Sequence, residues 1–116
     1  MIQSTHRFHG RSSLRFVYQK GASVRSDLPL ALRTARNPRS RVWRVAVVVS
    51  RKVSKSAVVR NRIRRRIFEI VRRQGSHLDP GYDLVFSVYG PELAELDHAA
   101  LETAITTQLT KAGVLR

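Results

Sequence analysis

Apolar residues recur along this chain in two rhythms, one of helical period and one of strand period. Leu14, Val17 and Tyr18 fall at i, i+3 and i+4, which predicts a short helix over 11–19 with Gly21 as its stop. Residues 23–35 read as a strand, interrupted by Pro29, which suits an edge or a bulge. Asn37-Pro38-Arg39-Ser40 reads as a turn. Residues 42–50 form the clearest strand, β-branched and nearly all apolar toward its end. Trp43, Val45, Val47 and Val49 share one face of it. Arg44, Ala46, Val48 and Ser50 share the other, which is smaller, more polar and open to a ligand. Residues 56–74 read as the main helix, with Val59, Ile63, Ile67 and Ile70 as its apolar stripe. Arg62, Arg65, Arg66, Arg72 and Arg73 point away from that stripe, and Gly75 ends the helix.

Asp79-Pro80-Gly81 predicts a turn, and 82–89 a further strand closed by Gly90-Pro91. Asp97 is placed to N-cap a last helix with Leu101, Ala104, Ile105 and Leu109 inward and Gly113 at its end. The order α-β-β-(β)-α-β-α, with an optional short strand near Val53, predicts an α+β fold. It would be a single-domain two-layer sandwich over 1–116, one sheet packed by helices.

Charge changes the picture. The 116 residues carry a net charge of +14 and no cysteine. Residues 1–76 hold 20 Lys/Arg against Asp27 and Glu69, whereas 77–116 hold six acids against Lys111 and Arg116. Between Arg51 and Arg73, ten basic side chains, eight of them Arg, meet Glu69 alone. Such density costs stability through self-repulsion unless a polyanion neutralises it. Arg forks bind phosphate at two points and stack on bases, so nucleic acid is the expected partner and the acidic tail the scaffold. The absence of cysteine excludes disulfides and thiolate metal sites. The longest apolar run, 45–49, is far short of a membrane span, so no membrane partner is expected. The Arg/Ser-rich start superficially matches a transit peptide but reads as part of the fold.

Signals for chemistry are thin. His6 and His9 stand at H-x-x-H spacing without a completing acid or thiol and read as surface histidines. Asp79 and Asp83 read as turn and strand-end residues, and Ser50, Ser54 and Ser56 as turn and cap residues. No Gly-rich phosphate loop is present. An RNA-binding structural protein of ribosomal type fits these features, and a DNA-binding helix-turn-helix fits less well, because the basic helix follows a strand.

Arg60-Asn61-Arg62-Ile63-Arg64-Arg65 resembles the arginine-asparagine-arginine signature of the bacterial ribonuclease P protein component. Val49-Ser50-Arg51-Lys52 and Ala57-Val58-Val59 match its lead-in. His6-Arg7-Phe8, Leu14, Val17-Tyr18 and Lys20-Gly21 look like its first helix, and Tyr82-Asp83-Leu84-Val85 like its last strand, so the likeness spans about 5–112. The resemblance implies a left-handed β-α-β crossover, which is rare in general. It implies the non-catalytic subunit of an endoribonuclease in the cytoplasm. A catalytic RNA holds the Mg²⁺ ions and cleaves precursor tRNA, while the protein binds the 5′ leader between its first helix and its sheet; no further protein partner is required.

Carried over by position, the RNA-binding residues are Arg51, Lys52, Lys55, Arg60, Asn61, Arg62, Arg64 and Arg65, with Arg51 where Lys is usual. Leu14, Tyr18 and Arg44 fall on the leader side. Phe68 replaces a usual basic residue about 140° from Ile63 on the helix wheel. It either stacks on RNA or buries against the chain's own loop, and it is counted with the RNA-binding residues. Ala46 replaces a usual glycine, and Leu14 and Leu32 stand where cleft aromatics are common.

Overall fold

The computed structural model describes residues 6–7, 11–37 and 41–115, without the side chains of 11–13 and 20. His9 and most of the turn expected at 37–40 lie outside the described residues. Seven elements follow in order: α1 (Arg11–Lys20), β1 (Ala22–Arg25), β2 (Leu30–Arg36), β3 (Arg44–Val49), α2 (Ala57–Arg73), β4 (Tyr82–Val88) and α3 (His98–Lys111). The strands form one mixed sheet in the order β1-β2-β4-β3. β2 is antiparallel to both β1 and β4, and β3 runs parallel to β4 through the α2 crossover.

The α+β class with one sheet is as expected, but helices cover both faces, α1 on one and α2 with α3 on the other. The layers are therefore three and not two, and two local expectations also need correction. Residues 23–35 are two strands of a hairpin, because the chain reverses over 26–29. There the Ser26 hydroxyl accepts from the Leu28 amide at 2.9 Å. Pro29, which has no amide to give a ladder, sits in that reversal. Its carbonyl accepts from the Tyr89 amide at 2.8 Å. Val53 lies in a turn, closed by its amide on the Ser50 carbonyl at 3.1 Å, and not in a strand.

Strand alternation sorts the two faces as the pattern predicts. Trp43, Val45, Val47 and Val49 enter the main core with Ile63, Ile67 and Ile70 of α2 and Leu101, Ile105 and Leu109 of α3. Ala46 faces the opposite side, where Val17 of α1 packs on Ala35, Ala46 and Val85. These are small residues, and they let α1 lie close on the sheet. Gly21 continues that closeness. A Cβ there would stand 2.4 Å from the Val17 carbonyl oxygen and 2.7 Å from that of Thr34.

Caps set the helix limits. Ser56 Oγ accepts from the Val59 amide at the start of α2, and Asp97 from the Ala100 amide at the start of α3. Gly113, at φ +74°, follows α3 in the left-handed conformation that favours glycine. Gln108 was not legible as an inward residue. It is buried, and its Nε2 donates to the Val24 and Leu30 carbonyls, both at 3.1 Å, tying α3 to the hairpin.

Candidate nucleic-acid interface

The basic side chains of α2 and of the turn before it divide into those used by the fold and those left free. Arg60 donates to the Ser54 carbonyl at 2.9 Å. Arg64 donates to the Val49 carbonyl at 3.3 Å and to Asn61 Oδ1 at 2.9 Å, and so closes the β3–α2 turn from the helix side. Arg66 does not point away. It lies on the flank near Ile63 and Ile70, and its guanidinium donates to the carbonyls of Leu93 and Leu96 in the segment after β4. Arg62 pairs with Glu95 at 2.7 Å, both side chains exposed. Arg72 and Arg73 share Glu69, whose carboxyl is held below its usual range, chiefly by the hydrogen bond from Arg72.

Four cations remain. Arg51, Lys52, Lys55 and Arg65 are exposed and make no hydrogen bond or ion pair among the described residues. Three belong to the β3–α2 turn, and Arg65 lies one turn beyond exposed Asn61 on the outer face. Val58, 79 % exposed on the same outward face, adds an apolar point to this basic surface. Phe68 is half-buried and packs against the main core. Its wheel angle gave the direction of its Cα, but the long ring reaches back over the flank.

On the other sheet face, α1 leaves part of the surface uncovered. A concavity of about 360 Å³ opens there, lined by Tyr18, Val48, Ser50, Lys52, Ser87 and Tyr89. Tyr18 is anchored through its hydroxyl to Ser87 Oγ at 3.2 Å, and the Arg33 guanidinium lies 5.2 Å from its ring centroid. Leu14 is half-buried against the small cluster under α1. Leu32 is not a cleft residue. It is fully buried on the opposite face, and Arg33, one position on, faces α1. Tyr89, 64 % exposed, follows the end of β4, and its alternation with Ser87 and Val85 puts it on the cleft side.

Arg44 is on the expected face, on an edge strand of the sheet. Its Nε and Nη2 donate to the two oxygens of Asp83 at 2.9 and 2.8 Å. Those bonds hold the guanidinium above its ordinary pKa, against the opposing effect of burial. Asp83 is 0 % exposed and also accepts from Asn37 Nδ2 at 3.2 Å. It stands at the start of β4, as expected, and is also a buried partner.

His6 is likewise engaged by the fold. Its ring stacks on Trp43 at 3.9 Å, and Nδ1 donates to the Trp43 carbonyl at 2.8 Å. Among the described residues no group of three or more His, Cys, Asp or Glu could hold a metal. Among the described residues no helix is long and apolar enough to cross a membrane.

A family model described as Ribonuclease P matches residues 2–113. A ribonuclease P protein component of Roseiflexus castenholzii is 40% identical over 90 residues, covering 78% of this chain and 73% of that one. One from Chloroflexus aurantiacus is 36% identical over 114 residues, covering 98% of this chain and 82% of the relative. The structure of the Staphylococcus aureus RNase P protein superposes with a TM-score of 0.83 at 23% identity, covering 96% of this chain and 98% of that one.

Proposed function

The chain belongs to the ribonuclease P protein family, the protein component of a tRNA-processing endoribonuclease that works with an RNA subunit, and we propose that it divides two RNA contacts between the two faces of its sheet. The outer face of α2 and the β3–α2 turn bind the catalytic RNA. The concavity between α1 and the sheet takes the 5′ leader of precursor tRNA. The observation that carries this reading is the set of free cations: Arg51, Lys52, Lys55 and Arg65 have no partner among the described residues, and Lys52 also lines the cleft. Each is therefore available to a phosphate without first breaking a protein contact.

The arginines already engaged act mostly by shape. Arg60 and Arg64 fasten the turn that presents Arg51 and Lys52, and Arg64 orients Asn61. Arg62 can exchange Glu95 for a phosphate at little cost, since an exposed pair contributes about 0–1 kcal/mol. In the cleft, Tyr18 offers a ring face that accepts any base. Arg44 is on the cleft face of β3 but does not line the concavity, and its charge is engaged by Asp83.

Among the described residues no group of three or more His, Cys, Asp or Glu could hold Mg²⁺. Asp83 is committed to Arg44, and Asp79 lies 3.9 Å from Arg36. The ions that the reaction needs are accordingly assigned mainly to the RNA subunit, and the protein assists the complex in the cytoplasm without a further protein. Reconstitution tests this. Adding the protein to catalytic RNA and precursor tRNA at low Mg²⁺ should restore cleavage at the mature 5′ end. A protein that binds both RNAs and leaves cleavage unchanged would count against the assignment.

A further inference from the structure

Strand register places four residues in one row across the cleft face. Arg25 of β1 pairs with Ala31 of β2, Ala31 with Ser87 of β4, and Ser87 with Val48 of β3. Val48 and Ser87 line the concavity next to Tyr18. Ala31 and Ser87 are small, so the floor of the row stays low as it leaves the cleft. Arg33 stands in the next row on the same face, diagonal to Arg25. Adjacent strands lie about 4.8 Å apart, so the row runs on the order of 14 Å from β3 to β1. At its far end sits a pair of arginines. Arg25 is exposed and makes no hydrogen bond or ion pair among the described residues. Arg33 rests on the Tyr18 ring and carbonyl, with no acid. Like charges this close on one face repel, and an anion relieves them.

Resting on the leader-cleft reading above, we propose that the leader path continues past Tyr18 along this row, and that Arg25 and Arg33 form a second subsite for phosphates of single-stranded RNA farther from the scissile bond. The occupant is the leader strand because the row is continuous with the cleft and its end is cationic. Arg33 joins the two subsites, since the same guanidinium that braces the Tyr18 ring borders the outer row.

The test uses the assembled ribonucleoprotein with three ligands: precursor tRNA with a full-length leader, precursor tRNA with the leader truncated just beyond the cleft, and mature tRNA. The R25A/R33A double variant should lose affinity for the full-length leader only. The slope of log affinity against log salt for that ligand should fall by about 1.4, the single-strand value for two lost phosphate contacts. Arg25→Glu alone, at an exposed side chain with no hydrogen bond or ion pair among the described residues, should give the same ligand selectivity even if Arg33→Ala disturbs Tyr18. Equal losses on all three ligands would overturn the subsite in favour of a contact to the tRNA body or catalytic RNA, and no loss would overturn it outright. Tyr18→Ala, measured in parallel, separates the two readings. If it distinguishes precursor from mature tRNA while the arginine variants do not, the cleft stands and the outer subsite falls. If it does not, the cleft reading falls and the subsite with it.

Discussion

Asp83 grips Arg44 at two points, 2.8 and 2.9 Å, across neighbouring parallel strands at the end of the sheet away from the cleft. The carboxylate is the more deeply buried partner. Removing the cation would therefore leave a buried charge with Asn37 as its remaining side-chain donor among the bonds described. Breaking a buried pair in this way costs about 3–5 kcal/mol. Arg44→Ala should lose that much in equilibrium denaturation at neutral pH. A loss below about 1 kcal/mol would mean that water reaches the carboxylate.

Arg62 and Arg65 should behave differently toward catalytic RNA, although both lie on the polar side of α2. Arg65→Ala removes a cation with no protein partner among the described residues, so affinity should fall and the salt slope should flatten by about one unit. Glu95→Gln releases Arg62 and should tighten binding slightly at low salt. Filter binding across a salt series reads both. An unchanged slope for Arg65→Ala would remove this part of the helix from the interface.

Tyr18 contributes a ring and a hydroxyl that two variants separate. Tyr18→Ala should weaken precursor tRNA binding to the holoenzyme by about 1–3 kcal/mol, the usual worth of one stacked base, and leave mature tRNA nearly unaffected. Tyr18→Phe loses only the bond to Ser87 Oγ and should keep most of that discrimination. Equal weakening of both ligands by Tyr18→Ala would assign the ring to the fold.

Phe68→Arg introduces the basic residue that the family resemblance implies at that position. Because the ring packs on the main core, the change should lower stability by about 1–2 kcal/mol, part of the roughly 1.5–3 for a fully buried Phe. Urea denaturation checks it. Wild-type stability would show that the ring serves RNA.

Gly21→Ala should loosen α1. Both atoms in the way are backbone carbonyl oxygens, of Val17 and Thr34, and cannot rotate aside. Faster amide exchange through α1 and weaker leader discrimination should appear together. Unchanged exchange would show that the close approach relaxes without cost.

Much of this was legible because it depends on local period. The α2 stripe, the two faces of β3 and both Ser56 and Asp97 caps follow from spacing along one element. What stayed hidden depends on partners far away or on parity. Arg44 and Asp83 are 39 residues apart, so nothing local marks either as half of an ion pair. Reading the hairpin as one strand concealed which residue of Leu32 and Arg33 faces the cleft, since strand alternation inverts with a shift of one. Arg66 and Phe68 show the limit of a helix wheel, which places Cα atoms but not the ends of long side chains.

The order of strands in space also bears on how the chain comes together. β4 pairs with both β2 and β3, yet it is the last strand to be synthesised. Before Tyr82 emerges, the β1–β2 hairpin is complete, but the sheet cannot close. β3 has no strand neighbour beyond the single bridge at Arg7. Contacts of such long sequence separation close slowly, because loop entropy is lost before they form. The arginine-rich helix therefore leaves the ribosome ahead of the strand that completes its core. A nascent chain halted before Tyr82 would display its cations on an unfinished fold.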